Sequence, residues 1–297
     1  MPQLNIFNGG AHAPGSTDFQ EFMVAPIGRP TYREAIRAGS EIYQQLGALL
    51  REQGLSTAVG FEGGFAPHGL TNRQALGFVT QAIEDAGYLP GEDVFIALDP
   101  AASEFYRRRS GSYYLRREGR RLSSEGMIEE FESLCADFPI YSIEDGLSEH
   151  DWAGWTEFTR RDGAKLQLVG DDLFVTQSQW VKQGIEQKAG NAVLVKLNQV
   201  GTVSETLDTI RLAKKASFNI VVSHRSGETE DTTIADLAVG TRAGQIKAGA
   251  PSRSERVAKY NRLLRIEEWL GPKAVYAGTR VLKEKNSNRA GRNSRSN

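Results

Sequence analysis

Cysteine is almost absent: Cys135 is the only one among 297 residues. No intramolecular disulfide can form, so a reducing compartment suits the chain and a cytoplasmic protein is expected. Flanked by Leu134, Ala136 and Phe138, Cys135 reads as a small core residue. Long hydrophobic runs are missing too. No stretch of about 18 apolar residues occurs, which excludes an ordinary membrane-spanning helix. The opening MPQLNIFNGG has neither a basic segment nor an apolar stretch of the secretory kind, so no leader is expected. An excess of one sign of charge is also lacking: Lys plus Arg is 36, Asp plus Glu is 37, and the net charge is −1. That excludes a chain-wide basic surface for nucleic acid, and equally an acidic solvating chain. Finally, no GxGxxG follows a strand and no GxxxxGK[ST] occurs, so both common nucleotide fingerprints are absent.

The charge is unevenly placed. Arg280, Lys283, Lys285, Arg289, Arg292 and Arg295 face one acid, Glu284, after residue 279, so a basic tail follows an acidic body. Residues 1–271 are expected to form the folded unit, and 272–297 a disordered, solvated tail.

Within the body, β-rich runs alternate with helical patterns. The strand candidates are LNIFN, QEFMVAP, STAVGFEG, VFIALDP, IYSIEDG, LQLVGDD, AVLVKLN, NIVVSHR and GQIKAG. Most are apolar runs rather than strict alternations, as in strands buried on both faces. Residues 31–53 read as a helix with Ile42, Leu46, Leu49 and Leu50 on one face. Thr71–Gln74, Thr176–Gln179, Thr202–Glu205 and Ser252–Glu255 have capping-box spacing, and Ala75, Leu76, Val79, Ile83 and Ala86 follow the first at helical intervals. Strand–helix alternation leaves an open doubly wound sheet or a closed (β/α)8 barrel. The polar strand ends favour the barrel, because its C-terminal rim would gather them.

Those ends carry the chemistry. Asp99 closes VFIALD, Glu144 and Asp145 close YSIED, and Asp171 and Asp172 close LQLVGDD. One acid after a strand is ordinarily a helix cap or turn former. Acids on three consecutive units are a different matter: crowded carboxylates repel unless a cation lies between them. Asp99, Glu144 and Asp171 are therefore candidate Mg²⁺ ligands, since hard oxygen donors suit that ion. Lys196 lies in the apolar AVLVKLN, where a lysine is costly unless paired or functional. Desolvation and nearby cations are expected to lower its pKa toward that of a general base; a Schiff-base lysine is the other catalytic option. His224, Arg225, Ser226 and Lys247 suit a phosphorylated, carboxylated small molecule. Glu62 in GFEGGF is a candidate acid opposite the lysine, and His12, Gln20 and Glu21 are weaker candidates nearby.

Taken together, SHRSGETEDTTIADLAVG, SIEDGLSEHDW, LVGDDLFVT, VKLNQVGTVSET, GFEGGFAP, LDPAASEFY and RSERVAKYNRLLRIEE resemble enolase, from about Leu4 to Gly271. The resemblance implies an α/β, TIM-like barrel whose second strand, near QEFMVAP, runs antiparallel. It implies Mg²⁺-dependent dehydration of 2-phosphoglycerate to phosphoenolpyruvate in glycolysis. By position, Asp99, Glu144 and Asp171 match metal ligands, Lys196 the base and Glu62 the acid. Gln20, Arg225, Ser226 and Lys247 match substrate contacts, with Lys196 itself, His12, Glu21 and His224 in the same pocket.

Two departures accompany it. The family usually has Asp before the acidic Glu, where this chain has Phe61; burial of Glu62 against Phe61 is expected to raise its pKa and loss of the neighbouring acid to lower it. The chain also starts at the barrel, whereas the family carries a smaller N-terminal domain supplying a lid loop. Three readings stay open: half of a split enzyme completed by a separate N-terminal domain chain, a binding protein without turnover, or a fragment of a longer product. Arg265 matches a dimer contact, so a homodimer is a further expectation; neither a membrane nor nucleic acid is.

Overall fold

Eight of the nine strand candidates become the staves of one closed barrel. The computed structural model describes residues 1–282. Its strands are β1 (Pro2–Asn8), β2 (Glu21–Ala25), β3 (Phe95–Asp99), β4 (Tyr106–Arg107), β5 (Ser112–Leu115), β6 (Arg120–Leu122), β7 (Ile140–Glu144), β8 (Gln167–Gly170), β9 (Ala192–Val195), β10 (Asn219–Ser223) and β11 (Gly244–Lys247). The barrel closes in the order β1-β11-β10-β9-β8-β7-β3-β2, and β4, β5 and β6 form a separate small sheet. β2 runs antiparallel to both β1 and β3, and the other barrel pairings are parallel. The expected α/β barrel with an antiparallel second strand is what forms.

The helices are α1 (Tyr32–Glu52), α2 (Asn72–Asp85), α3 (Ser124–Asp137), α4 (Trp152–Asp162), α5 (Ser178–Gln187), α6 (Leu197–Val200), α7 (Val203–Lys215), α8 (Thr233–Gly240) and α9 (Ser254–Leu270). Thr31 caps α1, which buries Ile42, Leu46 and Leu50 and half-buries Leu49. Thr71 and Gln74 form a reciprocal capping box, and Thr202 caps α7 through Glu205 N. The other two caps do not form. Thr176 is buried and left-handed (φ 59°), and its hydroxyl bonds Gln199 instead. α9 starts behind Arg253 with no side-chain cap.

STAVGFEG is not a strand: only isolated bridges link Val59, Phe65 and Phe7. Its glycines let the loop fold onto β1, where a Cβ on Gly60 or Gly64 would lie 2.8 Å from Asn8 Oδ1. The small sheet has no long apolar run to mark it in the sequence, since β4, β5 and β6 are only two to four residues long and β4 and β6 carry arginine.

The apolar character of the staves belongs mainly to the face beneath the helices, which packs into one large core. Inside the barrel lies a layer of polar groups. Gln3 donates to Tyr141 (2.7 Å) and Gln245 (3.2 Å), Gln245 donates to Gln167 (2.7 Å), and Gln167 donates to Ser142 (2.9 Å). Each amide has a partner, which is the condition for burying it. Cys135 is half-buried against the core, and burial pushes its thiol up to about 12.

The expected boundary at 271 falls short. Val281 is buried with Met1, Met23, Ala25, Ile27 and Ala97, and Asn219 donates to its carbonyl (2.9 Å). Tyr276 donates to Pro26 O (2.9 Å). The folded unit therefore includes residues 272–282, while the tail expectation for 283–297 lies outside the described residues. Truncation after Leu270 should lower the unfolding free energy by about 3 kcal/mol, since a buried apolar side chain contributes about 1.5–3 kcal/mol. Truncation after Leu282 should leave urea unfolding unchanged; equal loss in both would contradict this boundary.

Candidate active site

The direction of each strand decides which residues reach the rim. Parallel strands deliver their last residues, whereas antiparallel β2 delivers its first. Glu21 therefore pairs in register with Asp99, and Asp99 and Glu144 end neighbouring strands. Lys247, at the end of β11, reaches all three. Its ammonium lies 2.9 Å from Glu21 Oε2, 2.9 Å from Asp99 Oδ2 and 2.8 Å from Glu144 Oε1. It is 3% exposed. Burial alone would discharge it, but Asp99, Glu144 and Glu21 hold its pKa well above the ordinary value. The acids respond unequally. Burial and then neighbouring carboxylates push Glu21 and Glu144 well up. Asp99 is also desolvated, yet Lys247 brings it below the usual value.

A second pair lies along the rim. Lys196, one residue beyond β9, bonds Asp171, which also accepts from Gln199 (3.2 Å). Asp145, held at φ 42°, accepts from the backbone N–H groups of Asp171 (3.0 Å) and Asp172 (2.8 Å). Burial and the adjacent aspartates push Asp145 well up, and Asp172 up to about 6. Lys196 corrects the expectation drawn from its apolar setting. Burial lowers its pKa, but Asp171 and Glu144 outweigh burial and the net shift is upward.

Glu62 occupies the glycine loop, whose carbonyl accepts from Ala250 N at 2.9 Å. Its carboxylate accepts from Asn5 Nδ2 (3.0 Å), lies 3.1 Å from His224 Nε2 and 3.9 Å from His12 Nδ1. Burial would raise its pKa, but His224, Lys247 and His12 bring it well below the ordinary value. Phe61 is not what desolvates it. That ring is 59% exposed and meets His12 edge-on at 6.3 Å, so the anticipated burial of Glu62 against Phe61 is absent.

The remaining candidates ring this centre. His12 Nε2 and Ser226 Oγ are 2.9 Å apart, joining the first loop to the one after β10. Gln20 is half-buried, with its backbone N–H on Asp99 O (3.1 Å). Arg225 is exposed and donates to Asn198 Oδ1 (2.8 Å). Sequence reasoning missed Asn5, Gln199 and Arg256. Asn5 was legible as a polar residue inside an apolar strand, and Arg256 as a charge on the buried stripe of α9 with Lys259, Tyr260 and Leu263.

The donor set suits a hard cation. Asp99 and Glu144 end β3 and β7, Asp171 directly follows the neighbouring β8, and Glu144 feels the charge of the other two. Among the described residues, the tightest clusters of ligand atoms are His12–Glu21–Glu62 and Asp145–Asp171–Asp172, each within 4.8 Å. The expected triad is wider, with Lys247 between Asp99 and Glu144 and Lys196 on Asp171. Buried acids outnumber lysines on this rim, so oxygen donors are left that a divalent cation would neutralise. No helix among the described residues is long and apolar enough to cross a membrane. Residues 1–285 match the family described as enolase, C-terminal TIM barrel domain.

Replacing Lys247 by Met should cost about 3–5 kcal/mol at pH 7, because it leaves buried carboxylates unpaired. Folded-state pKa values of Glu21 and Glu144 already lie above the ordinary 4.5 and would rise further. A group raised in the folded state binds more protons there, so the variant should regain stability as pH falls toward that ordinary value. Urea unfolding at pH 5.5 and 8 checks this; no pH difference from the parent would contradict the charge cluster.

Proposed function

Because the chain belongs to the enolase C-terminal barrel family, we propose that this rim carries the reversible dehydration of 2-phosphoglycerate to phosphoenolpyruvate. The observation that supports it best is the arrangement around Lys247. One buried ammonium and three carboxylates from separate strands lie between Lys196 on the β9 side and Glu62 beside β1 and β11. A lysine base with Mg²⁺ stabilising an ene-diolate is general to enolase-superfamily sites and is not a result of this geometry.

The reaction removes a weakly acidic C2 proton and expels the C3 hydroxyl. Lys196 Nζ takes the C2 proton, and the C–H electron pair moves toward the substrate carboxylate. That pair then forms the C2–C3 double bond as the C3–O bond breaks, and Glu62 gives the departing oxygen a proton so that water leaves. Arg225 supplies a guanidinium for the phosphate, with Ser226, Gln20 and His12 beside it. His224 borders Glu62, and Lys247 opposes negative charge developing on the carboxylate. Asp99, Glu144 and Asp171 would hold Mg²⁺, which supplies Lewis-acid stabilisation of that charge.

The protonation states bear on direction. Lys196 is held charged and Glu62 ionised, which is the pairing that remains after dehydration and begins hydration. Asp171 faces two demands: paired with Lys196 it keeps that amine protonated, and as a cation ligand it would release it.

The reading includes completion of the site by a separate N-terminal domain chain and pairing of two barrels. Arg265 borders a groove of about 520 Å³ between α1 and α9 with Arg33, Arg37 and Glu268, a surface open to such contacts. The test is phosphoenolpyruvate formation followed by ultraviolet absorbance, with Mg²⁺ or EDTA, on the chain alone and with an enolase N-terminal domain added. Turnover should require Mg²⁺, and Lys196→Ala should lose about 10²–10⁴-fold, the range of general-base catalysis. Mg²⁺ binding without turnover in either arm would replace the enzyme by a binding protein.

A further inference from the structure

Arg256 is 1% exposed, with no carboxylate closer than 3.8 Å. Its guanidinium is spent on acceptors from two loops instead. Nη1 donates to Arg225 O (2.7 Å) and meets His224 Nδ1 (2.5 Å), while Nη2 donates to Ser226 O (2.6 Å) and Phe61 O (3.1 Å). The loop bearing Glu62 and the loop bearing His224, Arg225 and Ser226 are thus tied by one side chain. Space around it is full: a Cβ on Gly249 would lie 2.8 Å from Arg256 Cδ and 2.9 Å from Glu62 O.

A guanidinium has only donors and keeps its proton at any ordinary pH. The His224 nitrogen facing it must therefore present a lone pair, which leaves the ring proton on Nε2. That atom is buried, lies 3.1 Å from Glu62 Oε2 and has no aligned hydrogen-bond partner. Burial holds His224 below its ordinary pKa despite the pull of Glu62, and Arg256 adds to the lowering.

We propose that Arg256 is a positioning residue that locks His224 in the Nε2–H tautomer, making it a proton donor toward Glu62 and toward a molecule bound beside it. His224 then cannot accept a proton at Nε2 while Arg256 is in place. The Nε2–H group then faces Glu62 Oε2 at 3.1 Å, and the Phe61 carbonyl anchors the same loop. The proposed function enters only through the effect on turnover; the tautomer is independent of it.

The experiment is ¹⁵N-imidazole NMR of the full chain, which has only four histidines, with His224 assigned by its loss in His224→Gln. The parent should show His224 Nδ1 in the unprotonated range and Nε2 in the protonated range. In Arg256→Met the Nδ1 lone pair loses the donor that occupies it, so the Nδ1 signal should move toward the protonated range. Arg256→Lys keeps one charge without the planar fork and should give a mixture of tautomers. Where phosphoenolpyruvate hydration is measurable, Arg256→Lys should lower kcat at least tenfold with KM within twofold. A parent carrying Nδ1–H overturns the proposal even if Arg256→Met fails to fold. So does a folded Arg256→Met whose His224 signals match the parent. An Nε2–H parent whose tautomer shifts in the variants, but with no turnover anywhere, upholds the lock and fails the enzyme reading instead.

Discussion

Desolvated carboxylates repel one another, and Lys247 is what allows Glu21, Asp99 and Glu144 to converge at the barrel mouth. Each comes from a different strand, so the ammonium joins β2, β3 and β7 to β11 across the rim. The attraction does not satisfy every acid, since Glu21 and Glu144 remain displaced upward while Asp99 does not. Such an imbalance is more than a packing arrangement needs, because well-packed apolar residues of similar volume would be as stable or more so. A divalent cation bound at this rim would offset the carboxylates that Lys247 leaves unsatisfied.

The rest of the site is arranged around that centre. The antiparallel β2 is what turns Glu21 toward the rim, and the glycine loop brings Glu62 to Asn5 and the Gly64 N–H to Asn8 Oδ1. Lys196 and Asp171 form the complementary pair on the other side. α9 ties the Glu62 loop to the loop after β10 through Arg256, although it carries no residue of the rim itself.

Much of this was legible in the sequence. Asp99, Glu144, Asp171, Lys196 and Lys247 stood at the ends of apolar runs, and strand order alone brings such ends together. The antiparallel β2 came only from the resemblance, because periodicity does not encode strand direction. STAVGFEG misled because β-branched and aromatic residues flank glycines whose task is close approach, not pairing. Protonation states were not legible at all. Lys196 reads as a depressed lysine from its apolar neighbours, and the arrival of Asp171 and Glu144 from other strands reverses the sign. Similarly, the boundary at residue 271 was drawn from composition, whereas Val281 is held by a distant surface on β2 and β3.

The acids around Lys247 and Lys196 are proposed to form one cation site at the barrel mouth. A crystal soaked in Mn²⁺, with anomalous difference density collected, tests it most directly. The account predicts one strong peak bounded by Asp99, Glu144 and Asp171, with Lys196 moved off Asp171. A peak held by His12, Glu21 and Glu62, or by Asp145 and Asp172 without Asp99, or no peak at all, would contradict it.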